Sequence, residues 1–331
     1  MGVRNARAWV LVSLVGCGFP HGEAPTADAR DAGPIDGKPD ADIDGPASLT
    51  CYDKWLDGSI RFDTAVPLAT VNSPAYDRDP FLSDDELTLY FSSARATTSG
   101  PLDVWVVLRS STADPFGTPT RATEFNSGDS ESKLSITGNG LVAVVGSDRP
   151  GSTSASLDVW QSVRNTVNDA WPAMSRTHVM MVETSGSEHD PTISADGMHL
   201  YLAPDSPGPQ HIVMSTRQST GDFGAPMSLT ELNTPSGESD PSPTPDERII
   251  VFSSSRPTAG AGAGNLYYAT RAGNTGPFGA PRPVPDVNTN ADEGDPHLTS
   301  DGCRLYFGRY TGPSSAANQG DWDLFVATAM P

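Results

Sequence analysis

The stretch GESDPSPTPDERIIVFSSSRP, Gly237–Pro257, sets an acid two residues before Asp240-Pro241, a turn signal at Asp246-Glu247, an apolar run ending in Phe252 and a Ser-rich exit to Arg256. Four other segments repeat this order. They open at Asp79-Pro80, Lys133-Leu134, Asp190-Pro191 and Asp295-Pro296, so the five openings stand 54, 57, 50 and 55 residues apart. Shortly after each opening come Tyr90-Phe91, Val144-Val145, Tyr201-Leu202, Val251-Phe252 and Tyr306-Phe307. Between the landmarks lie Asp84-Asp85, Gly138-Asn139, Asp196-Gly197, Asp246-Glu247 and Asp301-Gly302. A short strand, a turn and a strand apolar on both faces predict a hairpin buried between neighbouring sheets.

A third strand follows each hairpin, as DVWVVLR, DVWQSVR, HIVMSTR, NLYYATR and DLFVATA. A fourth is marked by a Phe and an Asn at constant spacing: Phe116–Asn126, Phe223–Asn233 and Phe278–Asn288. Four strands in a unit of roughly 50 residues make one blade of a β-propeller. The fifth copy runs out after its third strand, and a segment of the missing kind, Phe62–Asn72, precedes the first copy. That segment is expected to complete the last blade and close the ring, which leaves no open sheet edge between the termini. The fold class predicted is therefore all-β: a five-bladed β-propeller of four-stranded antiparallel blades within residues 51–331. Blade 2 is expected to be irregular, because Lys133-Leu134 replaces Asp-Pro and Trp171 starts a longer fourth segment.

The segments DPTISADGMHLYL and DPHLTSDGCRLYF, with FSSSRP, resemble the WD-like propeller repeats of the TolB C-terminal domain and of many bacterial envelope proteins. Such a resemblance implies a fold and no single activity.

Ahead of the repeats, Arg4 and Arg7 precede a short apolar run, Ala8–Val15, that ends in Leu14-Val15-Gly16-Cys17. The run is too short to span a bilayer and reads as an export signal, residues 1–16. Its last four residues resemble a bacterial lipobox, which implies lipidation of Cys17; Gly18 after it implies the outer membrane or cell surface. Residues 18–50 are rich in Ala, Asp, Gly and Pro and nearly empty of large apolar side chains, the composition of a flexible acidic tether. Asp40–Gly45 looks like the start of a calcium loop, but its twelfth position is Cys51, so a solvated linker is the stronger reading. A formal net charge of −20 argues against nucleic acid and against electrostatic adhesion to anionic lipid. Any membrane attachment is therefore expected through the lipid alone.

Two residues before each opening stands an acid: Asp77, Glu131, Glu188, Glu238 and Glu293. Four openings add Asp79, Asp190, Asp240 and Asp295. Propeller topology puts all nine near the central channel, on the face that receives Arg95, Arg149 and Arg256. They form either a carboxylate ring able to bind a cation or a basic partner, or a repeated device in which acids pair with Arg or cap backbone N–H groups. Recurrence with the period of the fold favours the second. Arg109, Arg164, Arg217 and Arg271 recur on the third strand and read as blade-surface charges; Trp105, Trp160, Tyr267 and Phe325 read as blade packing. Trp55 and Trp322 break the repeat. The six His form no metal pattern, and His189 reads as a solvated loop residue despite its acidic neighbours. The sequence has no Gly-x-Ser-x-Gly elbow or phosphate loop, and no cofactor or metal is expected. Cys51 precedes the closing strand and Cys303 lies in the blade that strand completes, so they are either a disulfide stapling the ring or two separate thiols.

The function expected from these features is a monomeric, non-catalytic, lipid-anchored envelope module binding a protein or glycan partner. A carbohydrate-binding or glycoside-cleaving propeller using central carboxylates is the alternative. A structural domain that only displays its tether is a third reading.

Overall fold

The computed structural model describes residues 48–96, 101–151, 157–176, 179, 182, 186–205, 208–257, 263–312 and 322–331. Cys17 and Asp40–Gly45 lie outside the described residues. The predicted hairpins form as five antiparallel sheets. Blade 1 comprises Asp77–Leu82, Thr88–Ser93, Asp103–Leu108 and Thr120–Arg121. Blade 2 comprises Glu131–Ile136, Val142–Ser147 and Asp158–Val163. Blade 3 comprises Glu188–Ile193, His199–Pro204, Val213–Thr216 and Met227–Ser228. Blade 4 comprises Glu238–Pro243, Ile249–Ser254, Asn265–Thr270 and Arg282–Pro283. Blade 5 comprises Glu293–Leu298, Arg304–Tyr310 and Trp322–Thr328, and its outer strand is Val66–Pro67, paired with Phe325 and Val326. The ring closes as the repeat predicts. Blade 2 departs from four strands: among the described residues its outer edge is met by one bridge, Gln161 to Ser175. Pro172, next to Trp171, has no N–H to give to a ladder, and its carbonyl accepts from Ser162 Oγ instead.

Apolar side chains fill the spaces between blades, so every blade is glued to the next by a cluster of its own. The Asn of each Phe…Asn pair closes the outer edge. Asn72 accepts from the Leu324 amide and donates to its carbonyl, and Asn126 and Asn233 do the same to Val104 and Ile212.

One helix, Cys51–Asp57, was not predicted. It has a capping box between Thr50 and Asp53 and stops at left-handed Gly58. Its Trp55 is fully buried against Phe62 and Tyr268, and the indole donates to the Gly302 carbonyl at 2.9 Å. Cys51 is joined to Cys303 by a disulfide. The helix thus clasps blades 4 and 5 on the face of the ring that carries the hairpin turns. No helix among the described residues is long and apolar enough to cross a membrane.

A bulge in each inner strand positions the site. Asp79, Lys133, Asp190, Asp240 and Asp295 all have φ between 50° and 58°. In every blade two inner-strand residues there face one on the second strand, as Asp79-Pro80 face Phe91 between the Arg78–Ser92 and Phe81–Tyr90 pairs. The left-handed residue turns its side chain out of the sheet toward the axis. Asp adopts this backbone readily, which explains its recurrence; Lys133 takes it at greater cost.

Candidate functional site

The nine acids read from the sequence separate into two tiers. Asp77, Glu131, Glu188, Glu238 and Glu293 are at most 1% exposed and lie in the walls between blades. Asp77 pairs with Arg95 at 2.6 Å, Glu131 with Arg149 at 3.1 Å, Glu238 with Arg256 at 3.1 Å and Glu293 with Arg309 at 2.8 Å. Each of these four carboxylates also accepts the amide four residues before it, from Ser73, Ser127, Thr234 and Thr289. The arginines continue outward to the carbonyls of Val71, Phe125, Leu232 and Val287. Four of the five therefore form acid–Arg pairs that also take a backbone N–H, and not a carboxylate surface at the channel mouth. They tie the inner strands of blades 1, 2, 4 and 5 to the end of the preceding outer segment, and burial without a counter-charge would be prohibitive.

The second tier is on the axis. Asp79, Asp190, Asp240 and Asp295 are all buried, and one carboxylate oxygen from each lies within 4.8 Å of all the others. Lys133 completes the five-membered ring at the same left-handed position. Ring neighbours are linked through the backbone: the Lys133 amide donates to Asp79 at 3.2 Å and the Asp240 amide to Asp190 at 3.3 Å. Lys133 Nζ and Asp240 Oδ1 are buried without a hydrogen-bond partner among the described residues. Arg78 covers the ring from the face where the inner strands begin, donating to Asp79 at 3.2 Å and Asp295 at 2.9 Å.

Four carboxylates this close cannot all ionise. Burial raises all four, but the attraction of Arg78 and Lys133 outweighs it at Asp79, held below the usual range, and at Asp240, held well below it. Burial and the Asp240 charge hold Asp190 well above that range. Burial also dominates at Asp295, reinforced by Asp240 and Asp79 against Arg78, and its carboxyl hydrogen-bonds to both of them. The ring thus divides into two carboxyls that favour the charged form, Asp79 and Asp240, and two that favour the neutral form, Asp190 and Asp295. Four convergent oxygens are also the donor set of a hard cation, although Lys133 and Arg78 already supply two positive charges there.

Below the ring, toward the turns, is an axial cavity of about 60 Å³ bordered by Phe81, Ser135, Thr192, Ser242 and His297. Burial lowers His297 to about 3, so its ring is neutral at ordinary pH. Above the ring the fivefold repetition breaks down. Arg78 occupies the position of Ser132, His189, Ser239 and Gly294, and Tyr76 that of Ser130, Ser187, Gly237 and Asp292. The Arg78 guanidinium donates to Tyr76 Oη at 3.1 Å. Trp322 lies 6.3 Å from both Tyr76 and Tyr310, ring centre to ring centre. It rests on glycines: a Cβ at Gly308 would come within 3.1 Å of the indole, and one at Gly294 within 3.4 Å. All three rings and Arg78 are half-buried. The start face of the axis thus presents three aromatic rings and a guanidinium above hidden carboxyls.

Other expectations fall as follows. His189 lies on the start face, 3.4 Å from Asp205. The third-strand arginines are not surface charges. Each lies over an aromatic ring, Arg109 on Phe116, Arg164 on Trp171, Arg217 on Phe223 and Arg271 on Phe278, at 4.1–4.6 Å. Trp160 and Tyr267 pack in blade interiors as read. Sequence reasoning did not pick out Arg78, Tyr76 or Tyr310. The available signal was departure from the repeat, the same signal that marked Trp322.

No family model matches the sequence, and no curated protein matches it. Solved structures do. The catalytic domain of a GH62 α-L-arabinofuranosidase from Coprinopsis cinerea aligns with a TM-score of 0.53 at 13% identity, over 82% of this chain and 97% of that one. A family 117 glycoside hydrolase from Zobellia galactanivorans aligns with a TM-score of 0.51 at 12% identity, over 82% and 90%. A TolB from Agrobacterium tumefaciens aligns over 78% and 92% at 14% identity with a TM-score of 0.44. At these identities the likeness is one of fold.

Proposed function

We propose that this protein is a carbohydrate-binding propeller, holding its ligand at the start face of the axis without cleaving it. The observation that carries this reading is the group of half-buried rings, Tyr76, Tyr310 and Trp322, beside Arg78, where the start face departs from fivefold equivalence. Aromatic faces take the C–H side of a sugar ring, and a guanidinium and phenol hydroxyls take its oxygens, the few placed polar groups typical of a small-molecule site. The glycoside hydrolases that share the fold support a carbohydrate ligand by analogy of scaffold.

Cleavage is the second reading. Its support is the split protonation of the ring, acids at Asp190 and Asp295 beside bases at Asp79 and Asp240. Against it stands the geometry. Glycosidase carboxyls stand roughly 5–9.5 Å apart, flanking the scissile bond. Here one oxygen of each carboxyl lies within 4.8 Å of those of the other three, under Arg78, closer than carboxyls that flank a sugar.

Lipidation at Cys17 and an outer-membrane location belong to the same proposal, carried by the sequence alone. The test of function is calorimetric titration of arabinan, xylan and galactan fragments, with reducing ends assayed in the same samples. Binding without new reducing ends supports the proposal. New reducing ends that vanish in Asp190→Asn would replace it with the cleavage reading, and no binding to any fragment would refute both.

A further inference from the structure

At the turn face, the position that begins each second strand's approach repeats as Glu86, Gly140, Gly197, Glu247 and Gly302. All five have positive φ, from 55° to 73°. Where it is Glu, the carboxylate fills a slot between its own blade and the one before. Glu247 pairs with Arg271 of its own blade at 3.3 Å and with His199 of blade 3 at 2.9 Å, and it accepts from Tyr201. Glu86 pairs with Arg109 of its own blade at 3.1 Å and with Arg304 of blade 5, beside Tyr306. The slot is thus a basic third-strand arginine, a tyrosine of the preceding blade and a carboxylate between them.

Two glycine slots are closed by other means. At Gly302 the Trp55 indole moves in, 3.0 Å from where a Cβ would be. At Gly197 the tyrosine position is Val144, and Arg217 reaches Gln161 at 3.4 Å. The slot between blades 1 and 2 keeps its basic and phenolic walls and lacks the filling. Arg164 is held over Trp171 at 4.1 Å, as Arg109 and Arg271 are held over Phe116 and Phe278, with Nε on the Gly140 carbonyl and Nη1 on the Asp169 carbonyl. A Gly140 Cβ would meet Val167 Cγ1 at 3.3 Å and Arg164 Nη2 at 3.5 Å; no carboxylate of the described residues forms a salt bridge with Arg164, and the Glu124 charge acts on Tyr90. Tyr90 stands where Tyr201 and Tyr306 stand. In place of a glutamate there is a cavity of about 420 Å³, bordered by Arg164, Tyr90, Phe81, Asn139, Thr88 and Asp84.

We propose that this cavity is a binding site for a small hydroxylated carboxylate, a sugar acid, whose carboxylate takes the place that Glu86 and Glu247 occupy in the equivalent slots. The ligand carboxylate meets Arg164 and the Tyr90 hydroxyl, and its hydroxyls donate to Asp84 and Asn139 at the other wall. Phe81 receives the apolar face. Burial and Asp85 raise Asp84, which eases an acid's approach to that wall. The inference does not depend on the axial site.

The experiment uses D-glucuronate as probe and D-glucose as its uncharged counterpart, read by thermal unfolding and calorimetry. Glucuronate should raise the melting temperature of the wild type, and glucose at the same concentration should not. Gly140→Glu supplies the missing side chain at a backbone that Glu86 and Glu247 already adopt. It should melt above the wild type without ligand and bind glucuronate at least tenfold more weakly. Arg164→Gln should lose the same response, and Trp322→Ala, at the far face, should keep it. No response of the wild type to glucuronate would overturn the proposal. So would an unchanged response in Arg164→Gln or Gly140→Glu.

Discussion

Lys133 stands in blade 2 where Asp79 stands in blade 1, with the same left-handed backbone, φ 50° against 55°, and its amide donates to the Asp79 carboxylate at 3.2 Å. The substitution sets a lysine among four acids on the axis. Five buried Asp would need still more protons or a metal ion, whereas four Asp with Lys133 and Arg78 balance once two protons are held.

Replacing Lys133 with Met removes one of the two cations that keep Asp79 and Asp240 ionised. The expected loss is about 3–5 kcal/mol, the range for breaking a buried ionic network. Its pH dependence has a definite sign. Without Lys133 the two carboxylates rise toward neutrality, so the deficit relative to the wild type should shrink as pH falls from 8 to 4. Urea unfolding at the two pH values checks this, and an equal deficit at both would contradict it.

The wall acids are a stability device. Arg256→Leu leaves Glu238 buried without its guanidinium and strips the Leu232 carbonyl of a donor. A loss of about 3 kcal/mol or more is expected in denaturant unfolding. Glycan affinity of the folded fraction should not change.

His199 and Glu247 join blades 3 and 4 through a 2.9 Å hydrogen bond, which raises the imidazole above its ordinary range despite partial burial. A raised folded value means that this contribution is complete below the unfolded pKa of about 6.5 and is lost as pH rises through the folded value. The urea midpoint should therefore decline across that window, and His199→Gln should flatten the decline. An unchanged slope in the variant would remove His199 as the cause.

The disulfide between Cys51 and Cys303 spans a sequence separation of 252 residues. Chain-entropy reasoning puts its upper bound at about 5 kcal/mol, and typical bonds contribute about 2–4 kcal/mol. Cys303→Ser should lower the thermal midpoint, and a reducing agent should then have no further effect. A variant that melts with the oxidised wild type would show that Trp55 packing alone holds the clasp.

Most of the fold was legible because a propeller writes its period into the chain. Asp-Pro, the turn, the buried second strand and Phe…Asn each recur for a reason the structure supplies: the bulge, the hairpin, the blade interior and the Asn that completes the outer edge. Ring closure was legible from the displaced Phe62–Asn72. The two tiers of acid were not. Glu238 and Asp240 are two residues apart and would share a face in a regular strand, but the bulge at Asp240 sends one into the wall and the other to the axis. The helix at Cys51–Asp57 was missed because its seven residues carry little periodicity, although Thr50, Asp53 and Gly58 frame it. The third-strand arginines were misplaced because their partners, aromatic rings from the connecting loops, are set by tertiary packing.

The central claim is that binding resides where the repeat breaks and not where it repeats. Its most direct test is glycan titration of the wild type beside two variants, Trp322→Ala at the axial mouth and Glu238→Gln in the repeated wall. The account predicts that Trp322→Ala loses at least tenfold in affinity while remaining folded, and that Glu238→Gln loses stability but binds as the wild type does. The reverse pattern, binding lost with Glu238 and kept without Trp322, would contradict it.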